Sequence, residues 1–131
     1  MPLNRNDILK ASDIKTEEVN IPEWGGSVLV RGLSGVERGL YEQSLASKGL
    51  DGKSVFDTVY LRIKMLVIVC VDEKGHPLFT EADIEALGKK SAGPIERLFE
   101  VASRLSGLSE KDAQVIEANL KNAPKDGLST A

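Results

Sequence analysis

One stretch constrains the fold more than any other: Ser54 to Val71, the longest predominantly apolar run in the chain. Val55, Phe56, Val59, Tyr60, Ile63, Leu66, Val67 and Cys70 recur at three- and four-residue steps, which is the signature of one helix face. Ser54 followed by Asp57 has the form of a capping box and predicts the helix start. The unbroken apolar part, Met65 to Val71, falls far short of the ~20 residues a helix needs to span a bilayer. Arg62 and Lys64 interrupt the stretch. It is therefore expected to be a central helix on which the shorter segments pack. Its last residues, Val67, Ile68, Val69 and Val71, are β-branched and suit a strand as well. The turn signal Asp72-Glu73-Lys74-Gly75 lies between Cys70-Val71 and Pro77-Leu78-Phe79. Together these predict a helix to about Val69 and a very short hairpin over 70–79.

The other elements follow from turn and cap chemistry. Asp7 to Ala11 is expected to form a turn or two of helix, with Ile8 and Leu9 as its apolar contacts. Thr16 to Arg31 reads as a β-hairpin: Glu18-Val19-Asn20-Ile21 alternates, Pro22 ends the first strand, and Gly25-Gly26 serves the tight turn. Ser34 and Glu37 open a helix from about Gly35 to Ser47, with Val36, Leu40 and Leu45 on its apolar side. Lys48 to Lys53, with Gly49 and Gly52, reads as a linker or loop.

Thr80 and Asp83 open a short helix, with Phe79 and Ile84 spaced as a hydrophobic staple and Gly88 expected just past its end. Pro94 is tolerated in the first turn of a helix running to Ser106. Ile95, Leu98, Phe99, Ala102 and Leu105 form the inner face of that helix, Glu100–Arg104 an outer pair, and Gly107-Leu108 a Schellman ending. Ser109 and Asp112 start a last helix with Ala113, Ile116 and Leu120, which stops before Pro124; residues 124–131 are expected to be a disordered tail. The prediction is one α+β domain over 1–123, predominantly helical, with about five helices and a hairpin at about 16–32.

Chemistry is sparse in the residues. A net charge of −3 disfavours nucleic acid and anionic membranes as partners. The single cysteine, Cys70, forms no internal disulfide and fits a reducing compartment. The N-terminus lacks the apolar region of a secretory signal. His76, the only histidine, has no ligand-spaced partner and reads as an exposed turn residue. Cys70 sits in an apolar run, near a helix C-terminus, and reads as a small core residue rather than a reactive thiol. No phosphate-binding glycine motif is present. No catalytic residue, metal or cofactor is expected, and the chain reads as a protein that works by contact.

Five side chains are candidates for that contact: Trp24, Val28, Val30, Met65 and Phe79. Trp24 has two readings, a lid over the hairpin edge of the core, which is favoured, and an exposed interface anchor.

Three blocks carry a family resemblance. The first is Lys-Thr-Glu-Glu-Val-Asn-Ile-Pro-Glu-Trp-Gly-Gly-Ser-Val-Leu-Val-Arg-Gly-Leu-Ser-Gly-Val-Glu-Arg at 15–38, preceded by Asp-Ile-Leu-Lys-Ala at 7–11. The second is Val-Asp-Glu-Lys-Gly-His-Pro-Leu-Phe-Thr-Glu-Ala-Asp-Ile-Glu-Ala-Leu-Gly-Lys-Lys-Ser-Ala at 71–92, and the third Ile-Glu-Arg-Leu-Phe-Glu-Val-Ala-Ser-Arg-Leu-Ser-Gly-Leu at 95–108. In this order they resemble the small tail assembly chaperones of long, non-contractile-tailed phages and prophages.

The resemblance implies a mostly helical protein that coats the tape measure protein and keeps it soluble while tail tube protein polymerises around it. It also implies self-association, the tail tube protein as a further candidate partner, action in the host cell cytoplasm, and absence from the finished virion. The alternative is a structural minor tail or head–tail connector protein retained in the particle.

Overall fold

The computed structural model describes residues 1–108. The expectations for 109–131, a last helix and a tail, lie outside the described residues. In chain order come α1 (Arg5–Lys10), β1 (Thr16–Ile21), β2 (Gly26–Arg31), α2 (Gly35–Leu45), β3 (Ala46–Lys48), β4 (Ser54–Phe56), α3 (Leu61–Val69), β5 (Cys70–Val71), α4 (Ile84–Gly88) and α5 (Ala92–Leu105). Single 3-10 turns at Pro22–Trp24 and Glu81–Asp83 join β1 to β2 and precede α4. The fold is α+β, with five α-helices and small antiparallel sheets among the described residues.

The hairpin forms as its turn chemistry dictates. β1 and β2 pair antiparallel from Thr16↔Arg31 to Ile21↔Gly26, and Gly25 closes the turn at φ 79. The strand expected at Cys70–Val71 also joins this sheet, a pairing that no local pattern indicates. β5 pairs with β2 at Leu29↔Val71 and Val30↔Cys70, giving the order β1-β2-β5. The expected short hairpin at 70–79 is present as a bridge between Val71 and Pro77, with the Leu78 amide donating to the Cys70 carbonyl.

The central helix is shorter than expected. Ser54–Phe56 is strand, paired with β3 at Ala46↔Phe56 and Lys48↔Ser54. What reads as a linker is the turn of this second hairpin: the Gly49 amide donates to the Lys53 carbonyl at 2.7 Å, and Gly52 takes φ 79. Val55 and Phe56 are drawn into a ladder, which favours their β-branched and aromatic types, and so are lost to the helix. Asp57 marks the helix start differently. Its carboxylate accepts the Tyr60 amide at 2.9 Å, one residue before α3 begins, and its own amide donates to the Leu45 carbonyl. α3 itself is the core element, burying Ile63, Met65, Leu66 and Val69.

α3 packs on α5, α4 and α2, and α5 also lies against β1 and β2. Ile21, Val30, Met65, Leu66, Val69, Cys70 and Leu98 sit in one continuous core. α2 keeps its expected Ser34–Glu37 box, but its inner face is Tyr41 and Leu45, whereas Val36 and Leu40 are exposed. The Tyr41 hydroxyl, donating to the Leu61 carbonyl at 2.8 Å, turns that face inward. α1 buries no residue, and its expected contacts Ile8 and Leu9 are exposed. Gly88 is the last residue of α4 rather than a positive-φ residue beyond it. α5 ends as a Schellman motif: Leu108 N–H donates to Ser103 C=O, Gly107 N–H to Arg104 C=O, and Leu108 is buried. Arg104 does not turn to Glu100; it crosses to Glu17 on β1 at 2.7 Å.

Candidate partner-binding surface

The hairpin turn that carries Trp24 is held in place by charge. Arg97 of α5 donates through both terminal nitrogens to the two carboxylate oxygens of Glu23, at 2.9 and 2.8 Å. That guanidinium, helped by local backbone hydrogen bonding, holds the Glu23 carboxyl down at about 2. Trp24 follows Glu23 directly, half-buried and packed on the core. It neither seals fully nor stands free.

The other four candidates divide. Val28 is half-buried on β2, opposite Val19 of β1. Phe79 is half-buried just before the Glu81–Asp83 turn, where the Asp83 carboxylate accepts the Thr80 amide at 2.8 Å. Val30 and Met65 are fully buried and present no surface in the folded chain. They sit beneath the surface, because β2 has a strand on each side and α3 is covered by three helices.

The structure exposes apolar side chains that sequence reasoning did not select. Val36 and Leu40 lie on the outer side of α2, Leu50 and Val55 on the β3–β4 hairpin, and Val59 just before α3. Val36 and Leu40 do stand one turn apart in the sequence, but that spacing predicts a buried face equally well. Which apolar stripe of α2 meets the core is decided by Tyr41. Val59 and Tyr60 also line an open groove with Ile63, Glu85, Gly88 and Lys89, between α3 and α4.

An ion-pair lattice stiffens the scaffold beneath these surfaces. Arg31 of β2 grips Glu37 of α2 through two hydrogen bonds of 2.7 Å each, and also donates to the carbonyls of Gly32 and Ile68. One guanidinium thus joins β2, the start of α2 and the end of α3. The Arg31 pair holds the Glu37 carboxyl at about 2, against the opposing effect of burial, and Glu37 in turn raises Arg31. Burial pushes the Asp57 carboxyl up, but the Tyr60 amide and Lys64 outweigh it and hold the group below its ordinary value. Arg62 pairs with Glu96 and stacks over the Phe99 ring at 5.3 Å from its centroid.

No concentration of reactive groups accompanies these surfaces. Cys70 is sealed in the core, and burial pushes its thiol up to about 12, the opposite of an activated nucleophile. His76 is exposed in its turn, beside the Asp72 carboxylate that accepts the Lys74 and His76 amides. Among the described residues no group of three or more His, Cys, Asp or Glu could hold a metal ion, and no helix is long and apolar enough to cross a membrane.

A small sheet and a helical body with apolar side chains left at the surface make a module suited to binding other polypeptides. The family model for phage tail assembly chaperones matches residues 5–119, and the chain belongs to that family. The fold is similar to the solved structure of the bacteriophage HK97 tail assembly chaperone, with a TM-score of 0.56 and 20% sequence identity. That alignment covers 80% of this chain and 95% of the HK97 chain. No curated protein sequence matches the chain.

Proposed function

We propose that the chain acts during phage tail morphogenesis by binding the tape measure protein and keeping it soluble until tail tube protein assembles around it. The observation that carries this reading is family membership across residues 5–119. The exposed apolar side chains support it: a long helical client offers apolar stripes, and a chaperone needs unsatisfied apolar surface to meet them. In this reading Trp24, Val28 and Phe79 touch the client, while Val30 and Met65 support that surface from beneath. The chain works in the host cell cytoplasm, associates with further copies of itself, and leaves before the virion is complete.

Co-expression with the tape measure protein of the same genome tests the proposal. Higher solubility of that protein and its co-purification are expected. An insoluble tape measure protein with nothing co-purifying would overturn it. Trp24→Ala is expected to weaken client binding at least tenfold while lowering Tm by only a few degrees. A stability loss that accounts for the whole binding loss would assign Trp24 to the core instead.

A further inference from the structure

The β1–β2 hairpin is tied to α5 at two points. Arg97 and Arg104 stand seven residues apart in the sequence, so they share one flank of α5, about 10 Å apart along its axis. Arg104 donates to the Glu17 carboxylate, near the start of β1, at 2.7 Å. Arg97 donates to both carboxylate oxygens of Glu23, in the turn beyond the end of β1, at 2.9 and 2.8 Å. β1 therefore runs antiparallel to α5. Val19 and Ile21 of the strand share one core with Leu98 and Ala102 of the helix.

The two ties are not equivalent. The Glu17 end is already secured, because Thr16–Ile21 is paired with β2 along its whole length. The Glu23 end lies past that ladder. Its Pro22–Trp24 turn has its shape set locally, by Pro22 and by the Gly25 amide donating to the Pro22 carbonyl at 3.0 Å. The turn itself buries no residue, and Trp24 is only half-buried. What fastens it to the body is Glu23. Besides the two Arg97 bonds, its carboxylate lies over the first turn of α5, 3.9 Å from where a Cβ on Gly93 would stand. That is the positive end of a fourteen-residue helix, which favours a carboxylate. A two-point contact between guanidinium and carboxylate fixes orientation as well as distance, which the single bond at Glu17 does not.

We propose that Arg97 and Glu23 are positioning residues for client binding: by clamping the turn to α5 they hold the adjacent Trp24 in one orientation at the surface. The proposal rests on the reading of Trp24 as a client contact. An aromatic anchor held in place beforehand needs no ordering when the client arrives. With the clamp open that ordering falls to the binding step, a loss of about two- to tenfold in affinity.

Trp24 is the only tryptophan in the chain, so its fluorescence reports on the turn without any client. In the full-length protein, Arg97→Gln is expected to red-shift Trp24 emission and lower its anisotropy. Arg104→Gln, which opens the other tie, is expected to leave both at the parent values. Both variants should keep Tm within about 4 °C of the parent, since each removes only a partly exposed pair. Co-expressed with the tape measure protein of the same genome, Arg97→Gln is expected to retain about fivefold less of it through washing than the parent does. Arg104→Gln should retain the parent amount. The exchanged pair, Glu23→Arg with Arg97→Glu, is expected to restore both emission and retention. Unchanged emission or unchanged retention in Arg97→Gln would overturn the proposal, as would equal changes in the two arginine variants or no recovery in the exchanged pair. A tape measure protein that fails to co-purify even with the parent would overturn the client reading instead, while the fluorescence comparison still decides whether the clamp holds Trp24.

Discussion

Gly32 sits where β2 turns toward α2, and the C-terminal turn of α5 passes directly over it. A Cβ built on Gly32 would lie 2.4 Å from the Leu105 carbonyl oxygen and 2.9 Å from its carbon. Both obstacles are backbone, so no side-chain rotation relieves the overlap. Reaching even 3.0 Å from that oxygen requires a displacement of about 0.6 Å between the β2–α2 link and α5, and a close-packed interior resists such a shift. The hydrogen bond from the Leu33 amide to the Ser106 hydroxyl, 2.9 Å long, spans the same contact and would be stretched with it. Gly32 is not in the positive-φ region, so sterics alone are at issue.

Gly32→Ala should then cost about 1–3 kcal/mol for the overlap and about 1 kcal/mol for the weakened hydrogen bond. About 0.5 kcal/mol returns through the smaller entropy of the unfolded chain. The net loss is about 1.5–3.5 kcal/mol, equivalent to a Tm lower by roughly 6–14 °C for a domain of this size. Thermal unfolding followed by circular dichroism and urea titration of the same variant measure it. Gly26→Ala is the control, since nothing lies within 4 Å of its added Cβ. It should change stability by no more than about 0.5 kcal/mol. A Gly32→Ala Tm within 3 °C of the parent, or a Gly26→Ala loss of equal size, would refute the steric account.

Gly39 presents the opposite case: it lies exposed inside α2 with open space around its Cα. Gly39→Ala should stabilise by about 0.5–1 kcal/mol through helix propensity, and a lower Tm would show that this face is covered in solution. The Arg31–Glu37 pair makes stability pH-dependent. The Glu37 carboxyl drops from 4.5 to about 2 on folding, so its contribution is present in full above pH 4.5 and is lost as pH falls toward 2. For a partly buried pair still reached by solvent the effect is on the order of 1 kcal/mol. Glu37→Gln should lower urea stability by that amount at pH 7, with the difference from the parent closing by pH 2; a difference that stays constant with pH would separate the loss from the charge.

Much of this protein was legible residue by residue, and the legible parts share a physical character. The β1–β2 hairpin, the Ser34–Glu37 and Thr80–Asp83 starts, the Schellman end of α5 and the small hairpin after α3 all rest on groups within a few positions of one another. Glycine, proline and short polar side chains act on the adjacent backbone, so their effect survives in any tertiary setting. The family was legible for a similar reason, because its blocks are runs of neighbouring residues. Which apolar side chains stay at the surface was much less so. Of the five candidate side chains two are sealed, and the apolar residues left outside include several with equally good spacing.

Tertiary structure alone settled choices between locally equivalent options. Val55 and Phe56 fit a helix face, yet the hairpin with Ala46–Lys48 claims them for strand. β5 is two residues long and exists because β2, some forty residues earlier, offers it an edge. Tyr41 rather than Leu40 faces inward, where its hydroxyl donates to the Leu61 carbonyl at the start of α3. Arg104 had a carboxylate one turn away and took the one on β1. The sequence determined where elements begin and end wherever the determining groups are near in the chain. Which faces are buried, which strands join and which apolar residues remain to meet a partner depended on contacts between distant segments, whose energies no local pattern contains.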